Sequence, residues 1–447
     1  VAKPRNSNIC SQFNQFGASE HIWLKFFIQG SVMPHTQSSS VKDRSDANST
    51  VHHFDVVING GGMVGAAVAV GLGQLGLSVA VIESRLPQAF DAAQPLDVRV
   101  SAISVASAQL LARLGVMDEL LTLRHVPYIG LETWEMEGCM TQFTAEQVGE
   151  PLLGYFFENR LIQLCLLKQI EALKNVTLFC PAKVTQFTRV QASNDHRHAI
   201  EVLLDDGTRL GALLLVGADG ANSQVRQWAG IGITGWDYAQ SAMLINIETQ
   251  SPQQSVTWQQ FTPQGPRSLL PLPGNHASLV WYDSAAKIKQ LMQLSDLQLA
   301  EQIKAHFPKR LDPNFSVQAK GCFGLTRRHA QQYYQANLVI LGDAAHTINP
   351  LAGQGVNIGF KDVDALITHI ASAIGNGEVW WNDAVLQRYQ HSRYADNQLM
   401  MSAMDMFYAG FSNDLLPLKL LRNSALKLAN LDSPLKQKVL RYALGLN

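Results

Sequence analysis

The chain has 447 residues, 47% of them hydrophobic, and a formal charge of −1. That length can bury a large core over two or three domains, and the charge balance offers no global basic field, so nucleic acid is not an expected partner. Five cysteines, at 10, 139, 165, 180 and 322, form no C-x-x-C pair, which argues against a disulfide framework or zinc site and fits a reducing compartment.

Residues 1–53 read as a disordered extension. Polar runs (Thr36 to Ser40, Asp43 to Thr50) follow one apolar patch, His21 to Ile28, which is too short for a secretory core. Met33, just ahead of the polar run, is a candidate start residue. No apolar stretch approaches the roughly 18 residues of a spanning helix.

The first organised unit runs from Phe54 to Glu83. Asp55 to Ile58 is a β-branched run of the kind buried in a parallel sheet. It flows into Gly60-Gly61-Gly62-Met63-Val64-Gly65, the G-x-G-x-x-G spacing. Gly60 can take the tight turn, Gly62 leaves the backbone open to a pyrophosphate, and Gly65 lets the helix pack closely on the strand. The helix N-terminus favours phosphate, and the helix is predicted to stop at Gly76. Glu83 closes the next strand, Ser78 to Ile82, where an acid accepts ribose hydroxyls. A glycine-rich packing turn would share the spacing, but strand, helix and terminal acid together point to a dinucleotide site. Asn59, an unusual residue before such glycines, is read as a turn cap.

A linker containing Pro87 and Pro95 leads to Asp97 to Ile103 and a helix from about Ser104 to Leu114. Arg99 is by composition either a surface charge or a phosphate contact. Leu131 to Met136 alternates like a strand opening a second, antiparallel sheet. A helix over Glu158 to Leu173, a strand at Val176 to Phe179 and a hairpin turning at Asp205 to Thr208 follow. Leu213 to Val216 then runs into Gly217-Ala218-Asp219-Gly220, continuing to Arg226, with Asp219 and Asn222 able to cap a helix start. From about Tyr238 to Phe323, strand-like runs alternate with Pro and Gly turns. One helix, Leu294 to Phe307, is predicted there with Leu297, Ile303 and Phe307 on its apolar face. The chain then returns with Leu338 to Leu341, Gly342-Asp343-Ala344-Ala345-His346, the loop from Pro350 through Gly353 and Gly355 to Asn357, and a helix over Val356 to Ile374. Three buried strands ending in Gly/Asp chemistry imply one site at the carboxyl edge of one sheet.

Beyond Leu415 six basic residues stand against Asp432 alone, interleaved with leucines on helices broken near Pro417 and Pro434. A solvated basic face and a contact with anionic lipid both fit this pattern.

The three fingerprints in this order resemble those of the flavin-dependent aromatic hydroxylases, the para-hydroxybenzoate hydroxylase family, over roughly Phe54 to Leu446. The resemblance implies an α/β fold with a Rossmann-type, glutathione-reductase-like FAD domain over 54–237 and 324–397. An inserted, mostly antiparallel substrate domain over 238–323 is implied with it, part of the substrate sheet lying near 125–160, and C-terminal helices follow over 398–447. It also implies that Gly60, Gly62, Gly65 and Glu83 hold the ADP half of FAD, and that Arg99 contacts the flavin linker. Asp219 would serve FAD and the reduced nicotinamide, and Gly342 and Asp343 the ribityl and pyrophosphate region. Pro350, Gly353, Gly355, Val356 and Asn357 would lie along the isoalloxazine ring, Pro350 beside C4a. His346 is either a base or a structural residue supporting its loop.

Stretches such as Trp258 to Pro263, Leu279 to Ser284 and Phe407 to Asn413 are most similar to the demethoxyubiquinol-hydroxylating members of the ubiquinone-biosynthesis branch. That likeness implies ring hydroxylation of a 2-polyprenyl-3-methyl-6-methoxy-1,4-benzoquinol type substrate, with NADH or NADPH and O2 as co-substrates. Other ubiquinone-biosynthesis proteins are implied as partners, and a cytoplasmic location peripheral to the inner face of the membrane. A sister ring hydroxylase, a small-phenol hydroxylase and a non-catalytic flavin-binding subunit are the alternatives.

Overall fold

A computed structural model of the chain describes residues 50–190, 199–348, 355–431 and 433–446. The expected extension at 1–49 lies outside them, but the first strand starts earlier than Phe54. Val51–Asn59 pairs along its whole length with Arg209–Gly217, from Val51 opposite Arg209 to Asn59 opposite Gly217. His52 and His53, within the expected extension, belong to this strand, whose first end is solvated and tolerates polar side chains.

Five parallel strands lie in the order Leu338–Ile340, Arg209–Gly217, Val51–Asn59, Val79–Ile82, Val176–Phe179, edged by the antiparallel Tyr334–Gln335. Their middles are fully buried, Val56, Val57 and Ile58 among them, which is why they read as continuous apolar runs rather than alternating ones. Helix Met63–Gln74 packs between Asn159–Ala172 and Gly355–Gly375. A methyl group at Gly71 would stand 2.1 Å from Ile367, so a small residue sets the helix spacing there.

The second sheet runs His346–Thr347, Phe315–Ala330, Ile233–Thr249, His276–Ser284, Arg267–Pro271, Val256–Gln260, Gly130–Trp134, Thr141–Thr144. All its pairings are antiparallel except Val256–Gln260 with Gly130–Trp134. Ile233–Thr249 and Phe315–Ala330 are paired from Ile233 opposite Ala330 to Thr249 opposite Phe315, so both run across the positions, 238 and 323, where a separate module reads from sequence. A smaller sheet joins Val100–Ser104, Gly154–Glu158 and His125–Tyr128.

The helix predicted over Leu294 to Phe307 is present as Asp296–His306, opened by a Ser295/Gln298 capping box, but a second helix, Ala285–Met292, precedes it and its apolar face differs from the predicted one. Leu297 is 83% exposed, while Leu299, Ala300 and Ile303 face the core. Positions 297 and 303 lie six apart and cannot share a helix face with period 3.6, whereas 299 and 303 can. Downstream, Asp383–Phe411 is a 29-residue helix, followed by Leu416–Ala429 and Pro434–Leu444 with proline in the first turn of each, where a missing N–H costs nothing.

Candidate cofactor and substrate site

The three glycine-containing motifs meet at the carboxyl ends of neighbouring strands. Gly60 adopts φ +107°, and a side chain there would meet the Ala218 carbonyl oxygen at 2.4 Å. A side chain at Gly65 would meet the Gly60 carbonyl oxygen at 1.9 Å. Both glycines are therefore demanded by backbone approach within the protein. Gly62 differs: its φ is −67°, and an added Cβ would meet no protein atom within 4 Å. It faces open space at the N-terminus of Met63–Gln74, where backbone N–H groups attract phosphate.

Glu83 sits where the sequence predicts, at the end of its strand, and its Oε2 accepts from the Gly61 N–H at 2.9 Å. Gln163 steadies the other side of the turn by donating to the Gly61 carbonyl at 2.9 Å. Asn59 does more than cap the turn: its Nδ2 donates to Asp219 Oδ2 at 3.0 Å. The same oxygen accepts from the N–H groups of Gln224 and Val225 and so caps helix Gln224–Trp228. The second carboxylate oxygen of Asp219 is buried with no hydrogen-bond partner, a vacancy for a donor from outside the protein.

Arg226 links the second motif to the third, donating to the carbonyls of Ala344 at 2.7 Å and Ala221 at 2.9 Å. A side chain at Gly342 of the third motif, or at Gly359 in the helix that follows, would crowd Val64 of the first helix. Asp343 is exposed yet closely walled by protein. That crowding pushes its carboxyl pKa up, while His346 and Arg99 pull it down. Arg99 is thus near Asp343, itself exposed at the start of Val100–Ser104. The linker before Arg99 is pinned by Arg160 to Asp97 at 2.8 Å and by Asn246 to the Leu96 and Asp97 carbonyls.

Gly355 and Val356 open the helix as predicted. The Asn357 side chain is engaged by protein, accepting from Ser104 N at 3.0 Å and donating to the Ala102 carbonyl at 2.7 Å. Pro350 and Gly353 lie outside the described residues. His346 is 3% exposed, and its Nε2 is 2.5 Å from the buried Asp362. Asp362 also accepts from Gly342 N at 3.1 Å, Arg393 Nε at 2.9 Å and Asn397 at 3.1 Å. Burial raises the Asp362 pKa, but His346 and Arg393 outweigh it and hold the carboxyl far below the usual range. This geometry gives His346 a loop-supporting place rather than one open to substrate. Asp362, Arg226 and Gln163 are absent from the residues singled out by sequence.

The second sheet reaches this site directly, because His346–Thr347 pairs with Arg328 and His329 of the long strand. On its far side Tyr238 bonds Asp405, which pairs with Arg327 at 2.7 Å. Phe261 stacks on Phe411 at 4.1 Å, closing the sheet against the C-terminal part of Asp383–Phe411.

These residues fit FAD. The open face at Gly62, the unpartnered Asp219 oxygen, the exposed Arg99 and Asp343 side chains and two helix N-termini offer backbone N–H, cation and carboxylate groups to one bulky, phosphate-bearing ligand. Among the described residues no cluster of His, Cys, Asp or Glu is arranged for a metal ion, and no helix is long and apolar enough to cross a membrane.

Comparison with known proteins agrees. The family described as "FAD binding domain" matches residues 53–403. The chain is 51% identical to the 3-demethoxyubiquinol 3-hydroxylase of Escherichia coli K12, covering 88% of this chain and 98% of that enzyme. It is 34% identical to the ubiquinone hydroxylase UbiL of Rhodospirillum rubrum, covering 88% and 89%. Among solved structures, the p-nitrophenol 4-monooxygenase PnpA of Pseudomonas putida DLL-E4 aligns with TM-score 0.71 over 88% of this chain and 97% of its own, at 19% identity, a likeness of fold. The chain therefore belongs to the FAD-binding-domain family of flavin-dependent aromatic hydroxylases, as the three motifs converging on one cofactor site require.

Proposed function

We propose that this flavin-dependent monooxygenase hydroxylates the ring of a polyprenylated benzoquinol of the demethoxyubiquinol type, within ubiquinone biosynthesis. The observation that carries the reading is the 51% identity to a 3-demethoxyubiquinol 3-hydroxylase over 98% of that enzyme's length, an extent that takes in cofactor motifs and substrate sheet alike. The overall reaction inserts one oxygen atom of O2 into a ring C–H bond and reduces the other to water with two electrons from NADH or NADPH and two protons.

Bound FAD supplies the redox chemistry that relays those electrons and activates O2. The chain's own residues have four tasks. Gly60, Gly62 and Gly65, with the helix they open, receive the pyrophosphate, and Glu83 is placed for the ribose. Arg99 and Asp343 would hold the middle of the cofactor, and the free oxygen of Asp219 would accept a hydrogen bond from it. Gly355 and Val356, at the positive end of a 21-residue helix, would favour a negatively charged part of the bound cofactor. His346, tied to Asp362, holds the third motif in register and takes no proton from substrate; a quinol ring is electron-rich enough without a base. The division into a cofactor domain over 54–237 and 324–397 and a substrate domain over 238–323 belongs to the same reading. So do other ubiquinone-biosynthesis proteins as partners and a place on the inner face of the membrane.

The test supplies purified holoenzyme with a short-tailed demethoxyubiquinol, reduced nicotinamide and 18O2. The expected product is 16 mass units heavier in unlabelled oxygen and carries one 18O in the labelled gas. Turnover of a carboxylated phenol with none of the quinol would replace this reading by the small-phenol one. Flavin binding with no turnover of either would leave a non-catalytic subunit.

A further inference from the structure

Of the last two helices the first carries its polarity inside out, whereas Pro434–Leu444 buries Leu440 and Leu444 inward and adds further apolar residues on its outer side. In Leu416–Ala429 the side chains turned toward the protein are polar: Arg422 meets Glu135 at 2.5 Å and Asn423 donates to the same carboxylate at 2.6 Å. Leucines occupy the opposite side, with Leu416 65%, Leu420 52%, Leu421 67% and Leu428 67% exposed. On Pro434–Leu444 the outward positions Leu435 and Val439 are also more than half exposed. A helix lying on a protein in water does the reverse, with its apolar stripe inward and its charges outward.

The charges of this segment divide in the same way. Lys436 is 6% exposed, with its Nζ at the Asn430 carbonyl and over the Phe143 ring, and Arg441 reaches the Val148 carbonyl. Lys427 and Lys438, in contrast, are exposed among the leucines. An apolar face fringed by lysines matches the boundary between acyl chains and anionic headgroups, and leucine supplies the apolar area that lysines alone lack.

We propose that the leucine face of Leu416–Ala429, continued on Pro434–Leu444, lies in the surface of an anionic lipid bilayer, with Lys427 and Lys438 at the level of the phosphates. Its purpose rests on the prenylated-quinol reading, since such a tail keeps the substrate in the bilayer. Its affinity for lipid does not. The two can therefore fail separately.

The experiment floats the FAD-loaded full chain with substrate-free vesicles of phosphatidylcholine, with or without phosphatidylglycerol. The expected result is flotation with the anionic vesicles. The triple variant Leu420→Ser, Leu421→Ser, Leu428→Ser should lose about tenfold or more in partitioning, because burying each leucine is worth more than a factor of ten in water-to-lipid transfer. Lys427→Gln with Lys438→Gln should remove the preference for anionic lipid. Both variants should keep flavin content and turnover of a short-tailed quinol. A wild-type chain that floats with neither vesicle overturns the proposal. So does a triple variant that floats like wild type, or a wild type that forms a lipid-indifferent dimer which the triple variant dissolves, because a second copy then covers the face. Loss of short-tailed quinol turnover in the wild type would instead strike the substrate reading.

Discussion

At Gly62 and Gly65 the same residue type answers to two different constraints, and substitution separates them. A valine at Gly62 fits the protein, since no atom lies within 4 Å of its Cβ and its φ of −67° suits any residue, but it fills the space a pyrophosphate needs. Gly62→Val is expected to fold with a near-native melting temperature and to purify colourless, with flavin absorbance near 450 nm reduced about tenfold or more. Gly65→Ala places a methyl group 1.9 Å from the Gly60 carbonyl oxygen and should lower stability by roughly 1–3 kcal/mol, as overpacking does, measured by urea denaturation of the apoprotein. A yellow Gly62→Val protein would remove the phosphate from that turn. Asp343 behaves as a third kind of position: exposed and pushed toward protonation by its walls, it contributes little to folding. Asp343→Ala should keep the melting temperature of the apoprotein and weaken FAD binding, followed by fluorescence quenching on titration.

Between elements, Asp362 is the joint. It fixes helix Gly355–Gly375 to Asp383–Phe411 through Arg393 and Asn397 and holds the Gly342 N–H of the third motif. Asp362→Asn leaves the buried Arg393 guanidinium with only the partly exposed Asp396 as counter-charge and should cost roughly 3–5 kcal/mol, seen as a lower urea midpoint with an unchanged slope. Stability equal to wild type would show that Arg393 finds Asp396 sufficient, to which it already donates at 2.6 Å. A clue to Asp362 was available in the sequence: Ile358, Asp362, Leu366 and Ile370 recur every fourth residue, and an acid within an apolar helical stripe is a buried acid. The glycine motifs were legible because each is local, a strand, turn and helix within thirty residues. Gln163 to Gly61 and Arg226 to Ala344 were not, since a side chain bonded to a distant backbone carbonyl leaves no pattern at its target. The C-terminal segment misled in another way. Its helices and their prolines read correctly, but periodicity alone does not say which face a helix presents, and Arg422, Lys436 and Arg441 proved to face inward.

For the molecule as a whole, the buried histidine beside this joint sets an acid limit. Burial first, and then the neighbouring His346 and Arg327, lower the His329 pKa from 6.5 to about 4, with Asp362 pulling it back up; its Nε2 is 2.7 Å from Tyr333 Oη. A histidine that must stay neutral in the fold stabilises fully above its unfolded value and loses that contribution as pH falls through the folded one. The window is therefore pH 6.5 down to about 4, and the amount roughly 3 kcal/mol. Asp362, whose pKa is depressed, adds a further loss beginning at the ordinary carboxylate range and extending downward. Unfolding free energy measured from pH 7 to 4 should fall steadily, and His329→Gln should flatten the upper part of that slope. An unaltered slope in the variant would assign the acid sensitivity to other groups.

The order in which these parts leave the ribosome has a consequence for how the holoenzyme is made. The phosphate turn is synthesised among the first residues of the fold, yet the Arg226 and Asp362 bonds that complete its surroundings need a chain grown past residue 362, and Arg393 comes later still. Glu135 waits 287 residues for Arg422. A nascent chain thus carries an open nucleotide turn, and a Glu135 that helix Leu416–Ala429 has yet to engage, through most of its synthesis, and domains that fold as they emerge cannot close this one early. Flavin is captured at the end of translation or after it. Free FAD in the cell therefore governs how much of the finished chain matures, and a shortage should show first as colourless, protease-sensitive full-length protein rather than as truncated fragments.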